Sequence, residues 1–261
     1  MITNVTIGSD PEFFVVEPTI TGNRKVVPAY NVMPGTKYNP VDFGNGFKTL
    51  TDNILAEGNI PPAKTAEEFV NNMKNLKNII YDNFLSGLDM GLLSLDSASL
   101  SYSDLEDPRA TEFGCAPYYD AWANKTIRLR DLDKTEKRSA GFHIHVGYTY
   151  EGTFKKKLVN IALTRAFDFF VIKWANKVHY DEFREQYYGG FGKMRNTSYG
   201  VEFRSLGGYF TKDEFLETVY NKTMNVLEYC NTDDNIQKLL KLTKEDLLTV
   251  ELPVEVEAIT V

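Results

Sequence analysis

The chain has 261 residues, 43% hydrophobic and 25% charged, with 29 Lys and Arg against 36 Asp and Glu, a formal charge of −7. This composition packs a core and excludes a disordered polar chain, while the acidic balance with dispersed lysines argues against nucleic acid as a partner and leaves room only for a local basic pocket around a nucleotide. Two cysteines, Cys115 and Cys230, exclude a disulfide framework and lack zinc-ligand spacing, so both read as small buried apolar residues in a reducing compartment.

No basic-then-apolar leader opens MITNVTIGSD, and Arg165, Asp168 and Lys173 interrupt the most apolar helical stretch, so neither a membrane span nor export is expected and the setting is cytoplasmic. The length accommodates one domain, taken as residues 1–250, with 251–261 a strand or a mobile tail.

In chain order, period-two alternation predicts strands around Val5 to Val16 and Thr49 to Ile60. A helix over Ala66 to Leu85 follows, with Phe69, Met73, Leu76, Ile80 and Phe84 on one stripe, Thr65 and Glu68 as a capping box and Gly87 as a stop. Strands around Thr126 to Asp131 and Phe142 to Tyr148 precede a long helix, Thr153 to Val178, whose stripe holds Leu158, Ile161, Ala162, Phe169, Ile172 and Trp174. A strand from Tyr199 to Tyr209, a helix from Thr211 to Tyr229 capped by Thr211 and Glu214, and a shorter helix through Asn235 to Leu248 complete the series. Helices inserted irregularly between strands predict an α+β architecture with a mixed or mostly antiparallel sheet.

Residues two apart on a strand share a face. In SDPEFF this sets Asp10 with Glu12; in GFHIHVG, His143 with His145; in YGVEFRS, Glu202 with Arg204; in DNILAEGN, Asn53, Glu57 and Asn59 fall on one side. Each set backs onto apolar residues, so charged and imidazole groups gather on one face, where divalent cations most simply relieve carboxylate repulsion; carboxylates with at most one imidazole suit magnesium or manganese better than zinc. Viewed singly, Asp10 and Glu12 also fit an exposed acidic strand face, and Glu202 with Arg204 a surface ion pair. YGGFGKMR sets Gly189, Gly190 and Gly192 before Lys193 and Arg195, which fits a flexible turn as well as a phosphate-clamping loop, since the Gly-Lys-Ser/Thr ending of a P-loop is missing. GTK at Gly35 to Lys37 reads as a tight turn with a solvated lysine.

The order of SDPEFF, a lone strand glutamate, HIH and VEFR resembles the superfamily of glutamine synthetase and glutamate-cysteine ligase. IGSDPEFFV, DNILAEGNIPPA, FGCAPYYDAW, AGFHIHVGY and YGVEFRSL are similar, more closely, to the phage-type carboxylate-amine ligases (amidoligases) encoded by many bacteriophages, over residues 7 to 210. The resemblance implies a largely antiparallel, funnel-shaped sheet flanked by helices, with ATP and Mg2+ on its concave face, and a ligase that joins a carboxylate to an amine through an acyl phosphate. It implies Asp10, Glu12, Glu57, His143 and Glu202 as metal ligands, with Glu57 and Glu202 in the catalytic centre. Arg204 would lie against the transferred phosphate or the carboxylate, and His145, Lys193 and Arg195 would contact phosphate. The partners it implies are small-molecule or peptide carboxylates and amines, in the cytoplasm of an infected host.

The chain departs from the family pattern at Asp10, Tyr118 and Glu185, so the substrate is not carried over. Two other readings compete: a non-catalytic nucleotide- or metal-binding interaction protein of the same fold, and a small β-barrel metal enzyme using His143, His145 and Glu151. Long helices and the acids left unused argue against the barrel.

Overall fold

The computed structural model describes residues 1–110, 118–127 and 136–252; Cys115, the expected strand beyond residue 127 and the tail from 253 lie outside the described residues. The described strands are β1 Ile2–Pro18, β2 Arg24–Val27, β3 Val41–Gly44, β4 Phe47–Asp52, β5 Leu55–Ala63, β6 Gly91–Leu93, β7 Ser97–Ser99, β8 Tyr118–Asp120, β9 Lys125–Ile127, β10 Lys137–Ser139, β11 Phe142–Tyr150, β12 Lys193–Asn196 and β13 Gly200–Phe203. The helices are α1 Ala66–Ile80, α2 Lys156–Phe167, α3 Lys173–Val178, α4 Glu182–Tyr187, α5 Asp213–Tyr229, α6 Asp233–Lys241 and α7 Asp246–Thr249.

One large sheet runs β3–β4–β5–β1–β11–β13–β12–β8–β9, with β2 and β6 attached to the far end of β1 and β7 pairing β10 separately. Every described pairing is antiparallel, so the fold is α+β with a large antiparallel sheet flanked by helices. The path is open, with edges at β3 and β9 among the described residues.

Ile7, Phe13, Phe142, Ile144, Val146, Val201 and Phe203 form the apolar face of the sheet and are fully buried with residues of α1, α2 and α5. Phe167 of α2 stacks on Phe203 at 4.2 Å between ring centroids, and Phe69 of α1 meets Phe142 at 6.3 Å; burial of each ring contributes about 1.5–3 kcal/mol. The α1 helix lies so close to β5 that a Cβ at Gly58 would come within 2.5 Å of Leu76. A π turn, Asp168–Ile172, joins α2 to α3 and carries Asp168 into the interior.

Several expectations change in detail. The strand read from Thr49 to Ile60 is a hairpin: Asn53 adopts φ 56°, which asparagine tolerates, and its side chain accepts from Ile54 N and donates to Ala110 O, both at 2.8 Å. Asn53 therefore sits in the turn and does not share a face with Glu57. The long helix begins at Lys156, because the Thr153 amide and hydroxyl bind Asp233 instead; Leu158 is exposed and Val159 takes the inward place. Thr65 does cap α1, but Glu68 accepts from Lys64 N. At α5 the expected box does not form: the Thr211 hydroxyl turns to Ser94 Oγ and Gly208 O, both 2.7 Å, and Lys212 precedes the helix with no side-chain cap. The helix expected over Asn235 to Leu248 is two, α6 and α7, since Leu242 is extended and closes α6, and Asp246 Oδ2 accepts from Thr243 N and Oγ1 in the turn before α7. The strand expected to Tyr209 ends at Phe203. No helix among the described residues is long and apolar enough to cross a membrane.

Candidate functional site

Residues directly opposite each other in a ladder share a face. The register sets Glu12 against Glu57, Asp10 against His143, His145 against Glu202, Glu202 against Arg195, and Lys193 against Asp120. Six adjacent strands, β5 through β8 along the sheet path, therefore carry one polar row on the face opposite the helices. The row is acidic at its β5 end and becomes mixed in sign towards β12.

At the centre, Asp10 is buried between two imidazoles: its Oδ1 lies 2.9 Å from His145 Nε2 and 3.2 Å from His143 Nδ1. The His143 contact lacks hydrogen-bond alignment, and Nδ1, 4.0 Å from Glu202 Oε1, is buried without a hydrogen bond. Tyr199 OH approaches His145 Nδ1 at 2.8 Å, which completes a chain from Tyr199 through His145 to Asp10. Burial opposes ionisation of Asp10, yet the charges of His145 and His143 outweigh it and hold the carboxyl well below its usual range. The same balance raises His145: burial disfavours its charged form, and Asp10 and Glu202 favour it more strongly.

Glu202, fully buried, is held by two guanidinium groups, Arg195 at 2.5 Å on Oε2 and Arg204 on Oε1. Each carboxylate oxygen has a second lone pair, so Glu202 retains acceptor capacity. Asp10, His145 and Glu202 bring one ligand atom each within 4.8 Å of one another.

A second group of three is formed by Glu12, Asp52 and Glu57, again within 4.8 Å. Glu12 Oε2 accepts from Gly141 N at 2.5 Å, an approach that leaves no space at Gly141, where a Cβ would meet His143 Nε2 at 2.7 Å. Burial pushes the Glu57 carboxyl well above its usual range, and Asp10, Glu12 and Asp52 push it further, against a partial offset from Lys37. Lys37 is exposed after the turn at Gly35, as the sequence reading expects. An all-oxygen donor set that resists being charged together is what a hard divalent cation relieves, and the residues fit Mg2+ or Mn2+. The imidazole-containing set beside it is already offset by Arg195 and Arg204.

Asp10, Glu12, Glu57, His143, His145, Lys193, Arg195, Glu202 and Arg204 lie along this row, with Lys193 paired with Asp120 at 3.0 Å and 4.8 Å from the Tyr118 ring. His145, expected at phosphate, joins a group of three, whereas His143, expected as a metal ligand, joins neither. Glu151 lies past the main ladder, its amide bonded to Met1 O, and belongs to neither acidic group. The sequence reading missed Asp52, Tyr199 and Asp120. Asp52 lies across the unrecognised hairpin turn; Leu50 opposes Glu57, and the period of two carries that face to Asp52. Tyr199 acts from a turn, where no periodicity exists to be read. No known protein family and no curated protein matches the chain.

Proposed function

We propose that the protein is an ATP-dependent carboxylate-amine ligase of glutamine synthetase-like fold, with its active site on the polar row. The observation that carries this reading is the convergence of Glu12, Asp52 and Glu57 on a common point, with Glu57 resisting ionisation, next to a pair of arginines on the same sheet face. Bound divalent cations would neutralise polyphosphate charge and orient the transferred group. Glu12, Asp52 and Glu57 would hold a cation, while Asp10, His145 and Glu202, whose charges are offset among themselves and by Arg195 and Arg204, would line the phosphate path beside it.

The chain's own residues do the rest. Arg204 and Arg195 present donors at the end of the row where negative charge would develop on the transferred phosphoryl group. Lys193, two residues before Arg195 on the same face, would bind the phosphate chain or the substrate carboxylate. Asp10 keeps His145 oriented through Nε2 while Tyr199 engages Nδ1, so the ring is fixed at both nitrogens. The carboxylate substrate would become an acyl phosphate that an amine then displaces, and the loop carrying Gly190 and Gly192, both at positive φ, would exclude water.

The test is ADP release from ATP and Mg2+ over pooled carboxylates and amines, with a metal-free control and Glu57→Gln. ADP formation that requires metal, carboxylate and amine together is the expected result. Turnover unchanged in Glu57→Gln would overturn the site, and absence of ATP binding would overturn the function.

A further inference from the structure

Beside the polar row lies a small cleft, open to solvent, whose walls include Asp96, His179, Asp181, Arg184, Ser205 and Phe210. We infer that it binds a small cation bearing N–H donors, an ammonium ion or the head of a primary amine.

Three features carry the inference. Ser205 is 7% exposed, and its Oγ is buried with no hydrogen-bond partner, although an orphaned buried hydroxyl costs about 1–3 kcal/mol. Asp96 is 5% exposed; its Oδ1 accepts from Tyr209 N at 2.8 Å, while its Oδ2 finds His179 Nε2 only at 3.7 Å. Burial raises its carboxyl despite the opposing pull of Arg184, as expected of an acid short of donors. Finally, the guanidinium of Arg184 in the wall donates to Ser139 Oγ, Ala140 O and Leu206 O at 3.0, 2.9 and 2.7 Å, and its charge acts on Asp96 only in part. Asp96, Asp181 and Glu185 outnumber Arg184 among the charged side chains of the wall, which disfavours phosphate and carboxylate.

The occupant follows from what is left to satisfy. Ser205 Oγ and Asp96 Oδ2 both accept, so a ligand with several N–H donors matches them. His179 stacks on Tyr209 at 3.9 Å and presents an aromatic wall, which favours a monocation. These acids do not converge as the two groups of the row do, which argues against a divalent metal.

The cleft also abuts the row. A Cβ at Gly207 would lie 2.0 Å from Asp96 Oδ1, Gly207 bridges Gly141, and Gly141 N donates to Glu12. Two backbone segments separate the Asp96 carboxylate from the Glu12 carboxylate.

The experiment is titration of the full chain with methylammonium chloride, followed by amide shifts in 1H–15N spectra, against sodium and potassium chloride at equal ionic strength. Saturable shifts at Ser205, Gly189 and Gly190 with methylammonium alone are expected. Asp96→Asn and Ser205→Ala, each first shown to keep the wild-type melting profile, should weaken binding about tenfold or more, the loss of one charge-assisted hydrogen bond. Equal shifts with potassium, no saturation, or affinity unchanged in both variants would overturn the site; if both variants unfold, Glu185→Gln supplies the same comparison. Mn2+ binding at the row, measured in parallel by paramagnetic broadening, should persist in Asp96→Asn. Ammonium binding without any ATP turnover would sink the ligase reading alone, and turnover with no ammonium site would sink this one alone.

Discussion

Replacing Glu57 by Gln removes one negative charge from the Glu12–Asp52–Glu57 group while keeping side-chain size. In the metal-free protein Glu57 is raised by burial and by its acidic neighbours, so the folded state holds a proton that the unfolded chain releases near pH 4.3. Between that pH and the folded pKa the native state binds more protons. Stability therefore falls as pH rises through the window, by at most about 1.4 kcal/mol per pH unit for one proton. Glu57→Gln should lose this slope and melt above the wild type at pH 8 when metal is chelated. Magnesium should reverse the order. At a hundred times its Kd, a cation bound only by the folded state adds about 2.7 kcal/mol, or about 5–10 °C in Tm for a chain of this size. Wild type should gain that increment and the variant should lose most of it. Differential scanning calorimetry from pH 5 to 8, with EDTA or MgCl2, reads both effects. An unchanged pH slope in the variant, or an equal magnesium increment, would refute the assignment.

Glu12→Gln should abolish ATP turnover without unfolding the chain, checked by circular dichroism and ADP release. Glu202→Gln should do the same, whereas Glu202→Ala, which strands Arg195 and Arg204 around a buried vacancy, should cost about 3–5 kcal/mol in urea denaturation. Asp168 is raised well above its usual range by burial, so its stabilisation fades as pH rises from the unfolded carboxyl's ordinary value. Asp168→Asn, which keeps an acceptor for Trp122 Nε1, should match the wild type at about pH 4 and exceed it increasingly at higher pH; Asp168→Ala should lose about 1–3 kcal/mol. Phe203→Ala should cost about 3–5 kcal/mol in the same urea assay, because it empties the stack against Phe167.

The strands that carry the site were legible because a half-polar strand declares its faces by alternation. Asp10 with Glu12, His143 with His145 and Glu202 with Arg204 each shared a face on that ground alone, and each pair lies on the observed row. Which strand lies beside which was not legible: the pairing of Glu12 with Glu57, or of His145 with Glu202, depends on contacts between segments 45 and 57 residues apart. Asn53 shows where alternation misled, because a residue able to adopt positive φ broke one expected strand into two and hid Asp52 across the turn. Thr211 shows the limit of local capping rules, since a tertiary partner, Ser94, took the hydroxyl that a helix start would have used.

Strand β1 is laddered on one side to β11 and on the other to β5, and it supplies Asp10 to one acidic group and Glu12 to the other. Those two side chains are one pleat repeat apart, about 6.6–6.8 Å along the strand. The distance between the groups is therefore a gauge cut into the main chain, clamped from both flanks and beyond the reach of any side-chain substitution. A ligand that engages both must be of matching length, whereas its chemistry at either end can be retuned one residue at a time.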